Sequence, residues 1–435
     1  MIYILLIFSF LIRLIGINQS LWLDEAITAN VAKLPINQIV SRFSILDFHP
    51  PLHYWFLNIW TKIFGDSVVA MRLSSVIFSL ITIWLVYLIG TEIKNKKYGF
   101  WAAMLVAVNP LLIYYSQELR MYSMAVMWLA GAIYFWIKII SSKNNWKNIL
   151  GFNLMTFLAF TTFYGSIFLV GAMILYLFFT KKYKLFLSSS LGIMLAILIV
   201  SQLLIGQLKN SGEMLTQVTN WSLVLGKVNI KNLALIPLKF SLGRISWYPK
   251  SMYFLIGGLW TIVVWSLAVK NIFKNKELGS LLLLPIIFGI IFSIKSPLLQ
   301  YFRFLYLIPV LSLLLAKIEN QKIKIFLCSG FLVFSLMYLL NPKMHREDWK
   351  SLSRSLGNNQ KIYMVESFGD PIKFYNPTIQ IEDIKISLPK EDKVVLIPYG
   401  DIIHGIDTNK KMIELGYKQK EIKDFREVRL EFWEL

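Results

Sequence analysis

The sequence contains one cysteine, Cys328, among its 435 residues. A single cysteine cannot form a disulfide within the chain, and it offers no thiolate cluster for a metal ion. The chain has no Gly-rich loop of the kind that binds nucleotide phosphates, and no segment resembles a nucleotide-binding domain. It also has no internal repeat and no low-complexity tract. These absences argue against a nucleotide-binding enzyme and against a transporter built from repeated halves.

Hydrophobic residues are abundant instead. They make up 56% of the chain, aromatic residues make up 15%, and the mean hydropathy is +0.57. Runs with nearly the length that crosses about 30 Å of hydrocarbon recur along the sequence. The eleven runs are 1–17, 69–90, 100–116, 121–137, 149–163, 165–180, 185–206, 251–269, 279–295, 301–316 and 323–340. The pattern predicts a polytopic α-helical membrane protein with about eleven transmembrane helices.

Acidic residues are few, since 25 Asp and Glu stand against 45 Lys and Arg and give a formal net charge of +20. The excess is concentrated in every second loop between the hydrophobic runs. These loops contain Lys94, Lys96, Lys97, Lys138, Lys143, Lys147, Lys181, Lys182, Lys184, Lys270, Lys274, Lys276, Lys317, Lys322 and Lys324. Lysine-rich short loops mark the cytoplasmic side of a membrane protein. The distribution therefore predicts a multi-pass protein of the plasma or inner membrane, and it argues against a nucleic-acid partner.

This topology also predicts which segments are extracytoplasmic. They are 18–68, 114–120, 207–250, 296–300 and the chain after residue 341. The first run is expected to remain as a signal anchor, because no small-residue cleavage site follows it. In the first external loop, Pro51 can open a helix over Leu52–Phe64 and Gly65 can end it. The aromatic residues of such a helix favour the membrane interface, where it would roof a site.

The composition changes near residue 343, where the hydrophobic runs end and the charge density rises. We predict a transmembrane domain over 1–342 and a small external α/β domain over 343–435. Three β-like runs support the second domain, namely 361–367, 393–399 and 426–435. Between the last two, Asp407 is expected to cap a helix that Gly416 ends.

Polar side chains from five segments are predicted to meet at the external leaflet. They are Arg13, Asp24, Glu25, Asp47, His49, Gln117, Glu118, Arg120, Tyr122 and Arg303. Each has an ordinary alternative, because arginines near span ends reach lipid headgroups and acids stabilise helix N-termini. Their convergence on one side indicates a site. Carboxylates suit a general base, and arginines suit a phosphate. In apolar surroundings, this combination predicts group transfer from a lipid-linked phosphate.

The sequence resembles the GT-C glycosyltransferases, specifically the branch with dolichyl-phosphate-mannose protein mannosyltransferases and lipid A aminoarabinose transferases. The matching stretches are "LWLDEA", "DFHPPLHYWFLNIWTKIFGDSVVAMRLSSVIFSLITIWLVYLIG", "NPLLIYYSQELRMYSM", "YFRFLYLIPVL" and "REDWKSLSRSL". The resemblance implies inverting transfer of a monosaccharide from a polyprenyl- or dolichyl-phosphate donor at the external face. The acceptor would be a hydroxyl group of a protein, lipid or glycan. Asp24 would be the catalytic base, with Glu25 shaping the site and Glu118 as a second acid.

The resemblance also implies contacts with the substrates. The predicted substrate-binding residues are Asp47, His49, Gln117, Arg120, Tyr122, Tyr164, Arg303 and Arg13. Arg303 would contact the donor phosphate. A divalent cation stays open, because some relatives use one and others do not, and its ligands would be Asp24, Glu118 and His49. In one departure, Phe163 stands where relatives often have histidine, although the neighbouring Tyr164 remains.

Three other classes of protein remain as alternatives. A secondary transporter or lipid flippase would keep charged groups near the membrane midplane, where this sequence has few. An oligosaccharide ligase would share the compartment and much of the chemistry while taking a larger lipid-linked donor. A non-enzymatic membrane scaffold would be indifferent to loss of the Asp24 carboxylate.

Overall fold

The structure, a computed structural model, describes residues 1–44, 47–141 and 145–435, so Lys143 of the predicted lysine loops lies outside the described residues. The helices up to residue 140 are α1 (Ile2–Leu14), α2 (Leu23–Ala32), α3 (Ile36–Gln38), α4 (Leu52–Phe64), α5 (Val68–Ile93), α6 (Lys96–Ala107), α7 (Pro110–Ser116) and α8 (Tyr122–Ile140). Between α3 and α4, a π-helical segment spans Ile39–Ser44.

The remaining helices of the hydrophobic part follow the predicted runs. They are α9 (Trp146–Thr162), α10 (Ile167–Phe179), α11 (Tyr183–Gln217), α12 (Trp221–Leu225), α13 (Ile230–Leu242), α14 (Lys250–Lys274), α15 (Lys276–Ser293), α16 (Leu307–Ala316) and α17 (Gln321–Leu340). Short 3₁₀ turns cover Tyr164–Ser166, Tyr301–Phe304 and Pro342–Met344. The predicted boundary between the two domains falls at the last of these turns.

The helices identify an integral membrane protein. Within the described residues, six are long and apolar enough to cross a membrane, and the bent pair α6 and α7 would be a seventh. Three shorter apolar segments lie at Ile2–Leu14, Tyr164–Phe179 and Leu307–Ala316. Each of the eleven predicted runs coincides with a helix, but the number that spans the membrane stays a prediction.

The lysine-rich loops gather at one end of the helices. Lys182 donates a hydrogen bond to the carbonyl of Ile140, which joins the α10–α11 loop to the end of α8. Lys324 lies near Lys94 and Lys97, which brings the start of α17 to the α5–α6 loop. Loops that the sequence predicted on one side of the membrane are therefore neighbours in space.

The bend between α6 and α7 directs the chain towards the opposite end. The side chain of Asn109 accepts hydrogen bonds from the amides of Leu111 and Leu112, and Pro110 occupies the first helical position. The side-chain amide of Asn109 also donates to the carbonyl of Phe240 at 3.0 Å. The two helices meet at 64°. The segment 117–121, between α7 and α8, consequently lies against the residues that follow α1.

The predicted helix of the first loop is confirmed, since α4 covers Leu52–Phe64. Gly65 ends it with a positive φ of 85°, a conformation that favours glycine. The amide of Asn58 donates to the carbonyls of Ala32 and Leu34, both at 2.8 Å. This contact fixes α4 against the end of α2.

The C-terminal part forms a small mixed sheet with short helices. The helices are α18 (Trp349–Arg354), α19 (Asp370–Tyr375), α20 (Asp401–His404) and α21 (Thr408–Glu414), with a 3₁₀ turn at Glu366–Phe368. The strands are β1 (Lys361–Met364), β2 (Gln380–Asp383), β3 (Lys393–Leu396), β4 (Lys418–Phe425) and β5 (Val428–Glu434).

Their order across the sheet is β2-β1-β3-β5-β4. Strand β1 is parallel to both of its neighbours, whereas β5 is antiparallel to β3 and β4. Three strands fall in predicted runs, and β2 and β4 were not predicted. Every residue of β4 except the last is exposed, so its sequence lacks an alternating hydrophobic pattern. As predicted, Asp407 caps α21, and Gly416 follows that helix with a φ of 90°.

Candidate active site

The residues between α1 and α2 lie between the helices and the C-terminal sheet domain. The amide of Leu21 donates to the hydroxyl of Tyr375 at 2.8 Å, and Ser20 accepts from the amide of Lys350 at 3.1 Å. Leu23 packs against the hydrophobic core of the sheet domain. The sheet domain therefore fixes the segment that leads into Asp24.

Glu25 is an internal structural link. Its carboxylate reaches back to the amide of Trp22, which caps the start of α2, so the cap alternative holds for this acid. It also accepts from the amide of Leu119 at 2.7 Å, and its side chain is 2% exposed. This contact connects α2 to the segment between α7 and α8, and the role of Glu25 in shaping the site stays a prediction.

Arg72, on α5, holds the other side of Glu25. Its Nε lies 2.8 Å from Oε1 and its Nη2 lies 2.6 Å from Oε2. The remaining guanidinium donors bind the carbonyls of Ile17, Gln19 and Ser20 at 2.7–3.2 Å. All five N–H groups of an arginine can thus be satisfied at one buried position. The clamp orients the chain immediately before Asp24.

Asp24 has a different environment from its neighbour. Its side chain is 37% exposed, and Arg120 Nη2 lies 3.8 Å from Oδ2. Arg120 also donates to the backbone carbonyl of Asp24 and, at 3.0 Å, to the hydroxyl of Thr28. Within the described residues, neither carboxylate oxygen of Asp24 accepts a hydrogen bond. The carboxylate of Asp24 is therefore partly exposed and lies beside the guanidinium group of Arg120.

Asp47 is a second carboxylate near Arg120. Its Oδ2 accepts from the hydroxyl of Tyr54 at 2.8 Å, and its Oδ1 lies 3.2 Å from Nδ1 of His49. Burial acts to raise the pKa of Asp47, but the charges of His49 and Arg120 with the two hydrogen bonds lower it to about 2. Asp47 therefore holds the ring of His49 through this contact, and the positioning role of that histidine stays a prediction.

Tyr164 is connected to the loop that contains His49 through the side chain of Gln207. Its hydroxyl donates to Oε1 of Gln207 at 2.8 Å. The amide of Gln207 donates to the carbonyls of Ser44 and His49. The predicted substrate contact of Tyr164 stays a prediction, and its observed contact supports the loop that contains His49.

Glu118 lies in a buried pocket next to Trp22. Its Oε1 accepts from the indole N–H at 2.8 Å, whereas Oε2 is buried and has no hydrogen-bond partner in the described parts of the chain. Burial and then the charge of Glu25 raise the pKa of Glu118 to about 7, although nearby arginines act in the opposite direction. Glu118 is thus a carboxyl group that titrates near neutral pH.

Two arginines that the sequence did not single out complete this pocket. The guanidinium of Arg346 stacks on the ring of Trp22, 3.4 Å from its centroid. Arg244 donates to the hydroxyl of Tyr114 at 2.7 Å. The positive charges of both arginines act to lower the pKa of Glu118. Arg346 lies in the quoted "REDW" stretch and Arg244 in the loop 207–250, so each segment was recognised while the residue was not.

Arg303 lies within the 3₁₀ turn Tyr301–Phe304, before α16. Its guanidinium is 5.8 Å from the ring of Phe302, and its Nη1 is buried without a partner in the described residues. Phe302 packs edge-on against Tyr122, which also meets Phe163 at 6.0 Å. Phe163, Tyr122 and Phe302 therefore form an aromatic wall beside Arg303.

Arg13 and Gln117 have packing contacts. Arg13 is fully buried, and its guanidinium binds the hydroxyl of Ser79 at 3.0 Å and the carbonyl of Ala107 at 3.1 Å. The amide of Gln117 donates to the carbonyls of Arg13 and Ile15. The headgroup alternative for Arg13 is wrong, because its contacts hold α1 against α5 and α6. Its substrate role, like that of Gln117, stays a prediction.

The described residues contain no group of three or more His, Cys, Asp or Glu side chains that could hold a metal ion. The conditional ligand set of Asp24, Glu118 and His49 is not assembled. Glu118 contacts Trp22, and His49 contacts Asp47. The residues present do not fit a bound cation in this arrangement.

Comparison with known families gives one match. Residues 48–205 match the family described as dolichyl-phosphate-mannose-protein mannosyltransferase. A search of curated proteins finds no match. The matched segment contains the "HPPL" and "SQELR" stretches.

Solved structures have a similar fold. ArnT from Cupriavidus metallidurans, bound to undecaprenyl phosphate, is 11% identical with a TM-score of 0.61, and the match covers 100% of this chain and 97% of that one. AglB from Archaeoglobus fulgidus, in complex with an inhibitory peptide and a dolichol-phosphate, is 9% identical with a TM-score of 0.53, and the match covers 87% and 64%.

These matches confirm the predicted resemblance to the GT-C glycosyltransferases. The fold is similar to that of ArnT over the whole chain, and in this protein it includes a small C-terminal sheet domain. The class of enzyme predicted from the sequence, a membrane glycosyltransferase of the GT-C type, is the class that the family match and the fold support.

Proposed function

We propose that the chain transfers a monosaccharide from a polyprenyl- or dolichyl-phosphate-linked donor to a hydroxyl group of an acceptor. The transfer inverts the anomeric carbon and takes place at the extracytoplasmic face. The observation that best supports it is the environment of Asp24. Its carboxylate is 37% exposed beside Arg120, while the neighbouring Glu25 is buried in an ion pair.

In this reaction Asp24 takes the proton of the acceptor hydroxyl. The acceptor oxygen attacks the anomeric carbon as the bond from that carbon to the phosphate oxygen breaks. The polyprenyl phosphate leaves with the bonding electrons. A positioned general base contributes about 10²–10⁴-fold to such a step. Glu25 is unsuited to the role because Arg72 and two amides occupy its carboxylate.

The leaving phosphate needs positive charge, and three arginines of the candidate site provide it. Arg244, Arg303 and Arg346 are partly buried, and none forms an ion pair within the parts of the chain that the structure describes. Unpaired guanidinium groups suit a phosphate, since they donate two parallel hydrogen bonds to its oxygens. We extend the predicted phosphate contact of Arg303 to this group.

The lysine loops support the proposed sidedness of the reaction. They lie together at one end of the helices, and the positive-inside rule assigns that end to the cytoplasm. Asp24 lies at the other end of α1, next to the sheet domain. The two structural neighbours bind undecaprenyl phosphate and dolichol-phosphate, which supports a lipid phosphate as the donor here.

Two alternatives make different predictions. A flippase would move the donor lipid unchanged, whereas the proposed enzyme consumes it. An oligosaccharide ligase would require a larger lipid-linked glycan. The similarity in fold to the oligosaccharyltransferase of Archaeoglobus fulgidus is the observation that favours this alternative.

The purified protein, incubated with a panel of undecaprenyl- and dolichyl-phosphate monosaccharides and with a matching lipid-linked oligosaccharide, separates these readings. We expect one monosaccharide donor to be consumed with release of free polyprenyl phosphate. Consumption of the oligosaccharide donor alone would favour the ligase, and unaltered donor transported across a vesicle membrane would favour the flippase.

A further inference from the structure

A lysine that the proposed reaction does not use is buried close to Arg244. Lys239 lies on α13 and is 9% exposed. Its Nζ donates to the carbonyl of Ile245 and to the hydroxyl of Tyr253, each at 3.0 Å. Lys239 forms no ion pair with an acid among the described residues. Because burial of an unpaired charge destabilises a protein, the two contacts of this amine call for a function.

The contact with Ile245 holds the turn that contains Arg244. This turn begins at Gly243, which follows α13 with a positive φ of 76°, a conformation that favours glycine. A Cβ atom at Gly243 would lie 2.8 Å from Cβ of Pro110, so the turn packs directly against the start of α7. Lys239 binds the residue that follows Arg244. The turn is therefore fixed by α7 and by α13.

The fixed turn directs the side chain of Arg244 into the candidate site. Its Nη1 donates to the hydroxyl of Tyr114 at 2.7 Å, and its guanidinium carbon lies 5.3 Å from the centroid of that ring. The guanidinium is also close enough to Glu118 for its charge to act on that carboxyl group. The position of the guanidinium thus depends on backbone that Lys239 holds one residue away.

The surroundings of this turn are positively charged. The charges of Arg244 and Lys250 both act on Lys239. Lys250 itself donates to the hydroxyl of Ser246 at 2.6 Å and lies 4.5 Å from the ring of Tyr248. In the parts of the chain that the structure describes, none of these three cations is paired with a carboxylate. Clustered cations of this kind favour an anionic ligand, and Arg244 is the one that reaches the candidate site.

We infer that Lys239 is a positioning residue that holds Arg244 in place for the lipid phosphate. The inference rests on the proposed function for the identity of that anion. Lys239 does not bind the phosphate itself, because its side chain is buried and Ile245 and Tyr253 take two of its three N–H donors. It fixes the turn, and the turn presents Arg244 for two parallel hydrogen bonds to phosphate oxygens.

Reaction with phenylglyoxal, followed by mass spectrometry of the peptide that contains Arg244, measures the position of this arginine without any ligand. We expect Arg244 to react about tenfold faster in Lys239→Met, because loss of a hydrogen bond from a charged donor corresponds to about that factor or more. Arg303 in the same sample should react at an unchanged rate.

Lys231→Met, which changes an exposed lysine of the same helix, is the matched control and should leave the reaction of Arg244 unchanged. Lys239→Gln, which retains an amide donor, should give a smaller acceleration and replaces the methionine variant if that variant does not fold.

A second measurement concerns the lipid phosphate. Undecaprenyl phosphate should slow the reaction of Arg244 with phenylglyoxal in the unsubstituted chain, and Lys239→Met should raise the Kd for this lipid about tenfold. In turnover assays, the same variant should raise the KM for the lipid donor and leave the KM for the acceptor unchanged.

The inference is overturned if Arg244 reacts at the same rate in the Lys239 variants and in the unsubstituted chain. It is also overturned if Arg303 accelerates equally, because that result would show a general loosening of the fold. If Arg244 alone accelerates but undecaprenyl phosphate neither binds nor protects the unsubstituted chain, the lipid-phosphate donor of the proposed function fails, while the positioning of Arg244 by Lys239 stands.

Discussion

Arg72 and Glu25 form a buried ion pair with two hydrogen bonds, at 2.8 Å and 2.6 Å. Asp24, the adjacent residue, is 37% exposed and approaches Arg120 at 3.8 Å. Successive residues of an α-helix point about 100° apart, so neighbouring acids can face different surroundings. One carboxylate therefore fixes the segment, and the other remains available for chemistry.

Replacing Arg72 with methionine should destabilise the protein. The change leaves the charge of Glu25 buried without its counter-ion and three carbonyls without their donor, which lowers the free energy of unfolding by about 3–5 kcal/mol. Arg72→Lys should lower the free energy of unfolding by a smaller amount, because lysine keeps the positive charge but not the five N–H donors of the guanidinium group. Thermal melting in detergent measures the effect. Arg354→Met, an exposed arginine on α18, is the control, and equal melting temperatures for the two methionine variants would contradict this role.

Asp24→Asn should reduce turnover about 10²–10⁴-fold, because asparagine cannot take the acceptor proton. Donor binding and the melting temperature should stay unchanged, since no hydrogen bond to the carboxylate is lost. Asp66→Asn is the matched control, an exposed acid in the same loop region that pairs with Lys33. Wild-type turnover in the Asp24 variant would show that another group is the base.

Arg303→Ala should raise the KM for the donor lipid, and Arg303→Lys should raise it less, because lysine retains the positive charge. The alanine variant should raise the donor KM about tenfold or more, because it removes a charge-assisted hydrogen bond that contributes about 1.5–3 kcal/mol. Donor titration at saturating acceptor measures it. If neither change affects the donor KM, Arg303 contributes only to packing beside Phe302.

Glu118 should make stability depend on pH. Its pKa rises from 4.5 to about 7 on folding, so between these values the unfolded chain is charged while the folded chain keeps the proton. Ionisation therefore favours unfolding, and the free energy of unfolding falls by about 3 kcal/mol as the pH rises through this window. Glu118→Gln removes the fall.

The difference in melting temperature between Glu118→Gln and the unsubstituted protein should grow in favour of the variant from pH 5 to pH 8. Asp47→Asn provides the contrast. The pKa of Asp47 falls from 3.8 to about 2, so its stabilising contribution is complete above about pH 4 and is lost only at lower pH. The difference in melting temperature between Asp47→Asn and the unsubstituted protein should be constant from pH 5 to pH 8. A constant difference for Glu118→Gln as well would show that Glu118 ionises normally.

The sequence by itself determined the local elements. Hydrophobic runs of membrane length mark the helices, and residues with fixed backbone preferences mark their ends, as Pro51 and Gly65 do for α4. Alternating apolar residues identified β1, β3 and β5, whereas the exposed β4 has no such pattern. Local chemistry was sufficient wherever the interaction that fixes an element lies within a few residues.

Only the tertiary structure decides which of the two adjacent acids is buried in an ion pair and which stays exposed. Asp24 and Glu25 are equivalent in sequence, and the partner that buries Glu25 is Arg72, on another helix. The stacking of Arg346 on Trp22 likewise depends on how the sheet domain packs against the helices. Burial and pairing set the charge and availability of a carboxylate, and both arise from contacts between segments that are distant along the chain.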